Sequence, residues 1–111
     1  MNLNEYQEKA IRTAVFPEHS ALPYLALGLS GEAAEATNKV KKILRGDYND
    51  NPEALEEAKA NIAYELGDVL WYIAVLADHL DIGLDVIAQS NVDKLAARAE
   101  AGTLKGSGDD R

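Results

Sequence analysis

The chain contains no cysteine, which excludes disulfides, thiolate chemistry and zinc–sulfur sites. It also has no apolar run near the roughly 18–20 residues that a membrane-spanning helix requires, so we expect no membrane partner. Residues 1–9 are polar and charged, and they lack the apolar stretch of a signal peptide. These absences predict a soluble protein of the cytoplasm, or of the host cytoplasm if the source is a virus.

Basic residues are scarce relative to acidic ones. The sequence has 11 Lys and Arg residues against 19 Asp and Glu residues, and its net charge is −8 at pH 7. Non-specific binding to a nucleic-acid polymer depends on a basic surface, so we expect no such partner. Most of the acidic excess follows residue 50, and a solvated face that keeps the protein soluble accounts for most of these side chains.

Helical periodicity runs through the chain, and no segment alternates as a strand would. The 111 residues are enough for one domain with a modest core. Breaks at Pro, Gly and Asn clusters divide the pattern into four predicted helices, over residues 2–15, 23–44, 52–80 and 84–100. The expected fold class is therefore all-α, as a four-helix bundle.

We assign residues 1–101 to this helical domain and residues 102–111 to a glycine-rich C-terminal tail without periodicity. The third predicted helix carries a broader apolar surface than one small bundle can bury. Self-association to a dimer or tetramer is therefore expected.

Four acidic residues form two pairs, Glu32 with Glu35 and Glu65 with Asp68. The i,i+3 spacing puts both carboxylates of a pair on one helix face, and each face is otherwise apolar. Four converging carboxylates repel each other unless a cation neutralises them. Oxygen ligands without cysteine favour Mg²⁺, with Mn²⁺ as a substitute, although salt-bridged structural carboxylates remain an alternative.

These pairs also carry a family resemblance. The segments LSGEAAEA (29–36) and ELGDVLWY (65–72), followed by Asn91-x-x-Lys94-Leu-x-x-Arg98, resemble the MazG-type branch of the all-α nucleoside triphosphate pyrophosphohydrolases. The resemblance covers roughly residues 4–111. One departure is the spacer of 29 residues between Glu35 and Glu65, which is at or just past the long end of the family's usual range.

The resemblance implies an enzyme that cleaves an NTP or dNTP between the α- and β-phosphates, giving a nucleoside monophosphate and pyrophosphate. Glu32, Glu35, Glu65 and Asp68 would be its metal-binding and catalytic residues, with Glu32 or Glu35 orienting the attacking water. Its expected role is nucleotide-pool control or removal of a non-standard nucleotide. Two alternatives stay open: another pyrophosphate substrate, such as phosphoribosyl-ATP, dUTP or dUDP, and a non-catalytic acidic helical interaction protein.

Candidate phosphate-binding residues follow on the last predicted helix. Asn91, Lys94 and Arg98 share one helix face, and the resemblance implies that they bind the substrate phosphates. Surface ion pairs are the alternative for the two cations. Lys39 is a further candidate for phosphate contact, or else an i,i+4 partner of Glu35.

The remaining candidates lie at the two ends of the chain and in the third helix. Lys105 and Arg111 of the tail are predicted to fold over a bound nucleotide, across a subunit boundary. Gln7 is a candidate contact for a base amide. Trp71 and Tyr72 are interpreted as core or interface residues, with stacking on a nucleobase as the alternative.

Overall fold

The computed structural model describes residues 1–109, so Arg111, a predicted phosphate contact, lies outside the described residues. Four α-helices and one short 3₁₀ turn (Glu18–Ser20) make up the secondary structure, and the described residues contain no strand. The helices are α1 (Leu3–Ile11), α2 (Ala21–Leu44), α3 (Pro52–His79) and α4 (Leu84–Ala101). The all-α prediction with four helices is confirmed.

Local sequence signals explain most helix ends. The Asn51 side chain accepts a hydrogen bond from the Ala54 N–H, and Pro52 occupies the first turn of α3, where no intrahelical N–H donor is needed. At the other end of the chain, Gly102 ends α4 with a left-handed φ of 73°. The predicted end of α1 was four residues too late, because the chain turns at Thr13, whose hydroxyl donates to the Ala10 carbonyl.

The helices α2 and α3 form an antiparallel pair, in which Gly28 lies opposite Tyr72 and Lys39 lies opposite Glu65. Helix α1 covers one end of α3 and also contacts α4. The core lies at the covered end and consists of Ala10, Leu25, Ala74, Val75 and Leu84. The other half of the α2–α3 pair extends beyond this core.

Gln7 joins three helices through a buried amide. Its Nε2 donates to the Ala74 carbonyl (3.1 Å) and to the Ile82 carbonyl (3.0 Å), and its Oε1 accepts from the Leu84 N–H (3.0 Å). The bonds to Ile82 and Leu84 satisfy backbone groups at the α3–α4 turn, and the bond to Ala74 fixes the amide against α3. This amide, a candidate contact for a base, is therefore occupied inside the fold.

Much of the apolar surface stays uncovered in the single chain. Within residues 1–109, α4 contacts α1 and α3 but not α2. The radius of gyration is 17.2 Å, whereas a compact domain of this size has one of about 13 Å. By length and composition alone α3 could cross a membrane, a property that long core helices also have. The exposed apolar side chains include those of Tyr64, Leu66, Val86 and Val92.

We predict that Gln7→Leu lowers the free energy of unfolding by about 2–4 kcal/mol, because it leaves buried carbonyl and N–H groups without partners. Urea denaturation followed by circular dichroism measures this loss. Glu8→Gln is the matched control, since Glu8 is the exposed neighbour in the same helix and should change stability by less than about 0.5 kcal/mol. A Gln7→Leu loss as small as that of the control would contradict the role given to the amide.

Candidate metal centre

Three of the four predicted metal ligands come together between α2 and α3. Glu32 from α2 and Glu65 and Asp68 from α3 each place a carboxylate oxygen within 4.8 Å of the others. Two oxygens bound to the same Mg²⁺ at about 2.1 Å are at most about 4.2 Å apart. A small contraction would therefore bring all three to a single ion, and the all-oxygen donor set fits Mg²⁺ or Mn²⁺.

The helices determine how open this site is. Glu32 and Glu65 are partly buried between α2 and α3, whereas Asp68 is exposed. Glu35 is also exposed and stands outside the cluster of three oxygens, nearly one turn further along α2. One side of the cluster is thus buried against the helix pair and the other is open to solvent, where a substrate and water can enter.

The cluster is electrostatically unfavourable on its own. Burial raises the pKa of Glu32, and the charges of Asp68 and Glu65, a hydrogen bond with Glu65 and the charge of Glu35 raise it further. The cation Lys39 lies 3.7 Å from a Glu65 oxygen, so its ion pair is with Glu65 and not with Glu35, the partner that the i,i+4 spacing offered as an alternative. A single lysine offsets only part of the negative charge, which leaves the cluster suited to a divalent cation.

Two tyrosines border the cluster. Burial raises the pKa of Tyr72, and the nearby Tyr24, Glu32 and Asp68 raise it further. The pKa of Tyr6 is raised by burial and then by the charge of Asp68. The sequence predicted Tyr72 on the same helix face as Glu65 and Asp68, because it follows Asp68 by four residues, and its ring was interpreted as a core, interface or base-stacking group. No sequence signal pointed to Tyr6, because it lies on a different helix.

The predicted phosphate-binding cations lie on α4 and bind the tail. Asp109 accepts hydrogen bonds from Arg98 (3.0 Å) and Lys94 (3.1 Å), and Arg98 also donates to the Gly108 carbonyl (3.3 Å). These bonds hold the pKa of Asp109 below its usual range. The Arg98 side chain is only 7% exposed. The structure thus brings Lys94 and Arg98 together around a carboxylate, away from α2 of their own chain.

The other predicted binding residues are solvent-exposed. Asn91 lines a groove of about 420 Å³ on α4 with Lys94, Ile82 and Val86. Lys105 is exposed in the tail.

A second groove, of about 480 Å³, runs along α3. It is lined by Ala60, Ala63, Tyr64, Gly67 and Asp68. A side chain at Gly67 would meet nothing within 4 Å in this chain. This apolar groove therefore lies beside the metal centre and is not covered by another part of the described chain.

The fold and the site define a class: an all-α protein with an acidic cluster between two antiparallel helices that could hold a metal ion. Residues 19–103 match the MazG nucleotide pyrophosphohydrolase domain. The chain is 41% identical over 117 aligned positions to the Gene 37 protein of Mycobacterium phage L5, with 100% of both chains covered. It is 31% identical over 81 positions to the Uncharacterized protein YvdC of Bacillus subtilis (strain 168), covering 70% of this chain and 76% of that one.

No solved structure gives a significant match. The chain belongs to the MazG nucleotide pyrophosphohydrolase family. It is accordingly a hydrolase acting on acid anhydrides, in a family that generally depends on divalent metal ions. The acidic cluster of Glu32, Glu65 and Asp68 is the candidate centre for that metal.

We predict that Glu32→Gln raises the thermal midpoint of the metal-free protein and abolishes its further rise with Mg²⁺. The substitution removes like-charge repulsion but also removes a ligand. For the unmodified protein, Mg²⁺ at 100 times its Kd should add about 2.7 kcal/mol of stability. Scanning fluorimetry measures both effects, with Glu57→Gln as control, since Glu57 is an exposed glutamate of α3 outside the cluster.

The contribution of Glu32 to the stability of the metal-free protein should change with pH in a defined direction. Because the pKa of Glu32 is raised in the folded state, the folded protein binds this proton more tightly than the unfolded chain does. The contribution of Glu32 to stability should therefore fall as pH rises from the unfolded to the folded pKa. Glu32→Gln should lack this contribution, and a full Mg²⁺ response in the variant would contradict the assignment of Glu32 as a ligand.

Proposed function

We propose that the protein is a Mg²⁺-dependent nucleotide pyrophosphohydrolase that cleaves an NTP or dNTP between the α- and β-phosphates, giving a nucleoside monophosphate and pyrophosphate. The observation that carries this proposal is the group of three carboxylate oxygens within 4.8 Å of each other, in a segment that lies inside the matched family domain. Mn²⁺ is the expected substitute. A role in nucleotide-pool control or removal of non-standard nucleotides fits this chemistry.

The site of action is proposed to be the cytoplasm, or the host cytoplasm if the protein is viral. The 41% identical relative, the Gene 37 protein, comes from a mycobacterial phage, and this likeness supports the second location.

In the proposed mechanism, Glu32, Glu65 and Asp68 hold the metal. When bound, the ion neutralises the triphosphate and polarises the phosphorus under attack. Glu35 orients the attacking water and accepts its proton, because its carboxylate is exposed, influences Glu32 electrostatically and is not one of the three clustered carboxylates. Lys39, 3.7 Å from Glu65, is positioned to meet a phosphate entering beside the cluster.

Lys94 and Arg98 are proposed to bind the phosphates from a second copy of the chain. In one chain α4 makes no contact with α2 within the described residues, so these cations do not close over their own cluster. The two side chains already bind the Asp109 carboxylate, and the same donors recognise phosphate oxygens. Asp109 would then leave when a phosphate takes its place. Lys105 and Arg111 belong to the same tail and are proposed to fold over the bound nucleotide.

The surface area supports self-association. The chain exposes 7924 Å², whereas a compact monomer of 12.0 kDa exposes roughly 6,000 Å². The excess, roughly 1,900 Å² per chain, is the size of an obligate interface. The exposed apolar residues Val86 and Val92 flank Asn91 and Lys94 on α4, while the uncovered groove on α3 ends at Asp68. A basic surface on one copy would thus meet an acidic one on the other.

Substrate panels test the reaction directly. With Mg²⁺, we expect at least one NTP or dNTP to give the monophosphate and pyrophosphate, as separated by ion-exchange chromatography. Asp68→Asn should lower the rate at least about tenfold through loss of a metal ligand. Asp78→Asn, an exposed position of α3 outside the cluster, should not.

The panel should include dUTP, dUDP and phosphoribosyl-ATP. Turnover of one of these alone would favour the alternative substrates. Release of orthophosphate instead of pyrophosphate would contradict the proposed bond specificity.

Complementation tests the shared site. Asp68→Asn and Lys94→Ala subunits, each weakly active, should regain up to about a quarter of wild-type activity when mixed, since half the dimers are mixed and one of their two sites is intact. A mixture of Asp68→Asn with Glu65→Gln is the control, because both defects lie in the same half of the site. No recovery in the first mixture, with mixed assemblies verified by sedimentation, would show that each site belongs to one chain.

A further inference from the structure

Gly28 of α2 and Tyr72 of α3 are in unusually close contact. A Cβ atom built on Gly28 would lie 2.8 Å from Cδ1 of the Tyr72 ring, and closer still to Cε1 and Cζ. No side chain can occupy position 28 unless the ring or one of the helices moves. The Tyr72 ring therefore packs directly on the backbone of α2, so its contact helps to set the separation of the two helices.

This contact lies one helical turn from the metal centre on both helices. Gly28 precedes Glu32 by four residues, and Tyr72 follows Asp68 by four residues, so each shares a face with a ligand on its own helix. A change in the separation of α2 and α3 at this point would move Glu32 relative to Glu65 and Asp68. Those three carboxylates reach one ion only if the two helices keep their distance.

The Tyr72 ring is held in place by its neighbours. Trp71 packs edge-on against it, with ring centroids 4.9 Å apart and an interplanar angle of 84°. The Trp71 indole N–H in turn donates to the Thr13 hydroxyl at 2.8 Å, which ties this part of α3 to the segment after α1. The ring also packs against the buried core. It is thus not a flexible group that an added methyl could push aside at little cost.

We propose that Gly28 and Tyr72 are positioning residues for the metal centre: the ring, seated on the bare backbone at Gly28, sets the gap across which Glu32 meets Glu65 and Asp68. This inference rests on the proposed use of a divalent metal. It predicts that the geometry of this contact controls metal affinity in the absence of any substrate.

The test is direct Mn²⁺ binding, measured from the electron paramagnetic resonance signal of the free ion. Gly28→Ala should weaken Mn²⁺ binding by about tenfold or more, the effect expected when ligands lose their orientation. Gly31→Ala is the matched control: it adds the same methyl to the same helix three residues on, where nothing lies within 4 Å. Its Mn²⁺ affinity should stay within about twofold of wild type, and its helix should not be weakened.

Two variants of Tyr72 distinguish the contribution of the ring from that of the hydroxyl group. Tyr72→Phe keeps every ring atom that faces Gly28, so it should bind Mn²⁺ like the wild type. Tyr72→Leu should weaken Mn²⁺ binding, because it removes the ring that sets the separation of α2 and α3. Combined with Gly28→Ala it should recover affinity relative to Gly28→Ala alone, since the added methyl no longer meets the ring.

The outcomes are distinguishable. If the wild type itself fails to bind Mn²⁺, the proposed function fails. If the wild type binds and Gly28→Ala binds equally well, the positioning inference alone is overturned. It is also overturned if Gly28→Ala loses binding and the Tyr72→Leu combination restores none of it. If Gly28→Ala loses its helical circular dichroism, the comparison of Tyr72→Leu with Tyr72→Phe tests the inference instead. Equal Mn²⁺ affinity in these two variants overturns the inference. Weaker Mn²⁺ binding in Tyr72→Leu alone supports it.

Discussion

The packing of α2 against α3 brings like charges together, and the rest of the site depends on that contact. Glu32 on one helix faces Glu65 and Asp68 on the other, and the pKa of Glu32 is raised by burial and then by the charges of these two neighbours. In the absence of a cation, the packing of α2 against α3 must therefore outweigh the repulsion between these carboxylates. A divalent ion reverses this balance, because it converts repulsion between carboxylates into shared coordination.

The single chain covers only part of this helix pair. The core gathers at one end, where α1 and the buried amide of Gln7 link α3 to the start of α4. Beyond that end, the apolar groove beside Gly67 and the apolar residues of α4 stay exposed. The α3 groove adjoins the acidic cluster at Asp68, so the proposed self-association would cover surface next to the candidate site.

Much of the architecture could be predicted from the amino-acid sequence. Helix number and approximate bounds follow from periodicity and from breaks such as Asn51-Pro52, because these signals act within a few residues. The end of α1 was missed since Thr13 bonds locally to Ala10 and to Trp71 from another helix. The role of Gln7 could not be predicted for a similar reason: a polar side chain gives no sign in the sequence that its partners include carbonyls more than 60 residues away.

The sequence by itself determined the helices, the acidic pairs and the family, because periodicity, i,i+3 spacing and motif similarity are properties of short segments. Tertiary structure alone decided that three of the four carboxylates meet while Glu35 stands aside, and that Lys39 pairs with Glu65. It also decided that Tyr72 packs on Gly28 and that Lys94 and Arg98 hold Asp109. These outcomes depend on the register and separation of helices that are distant in sequence, which local spacing does not encode.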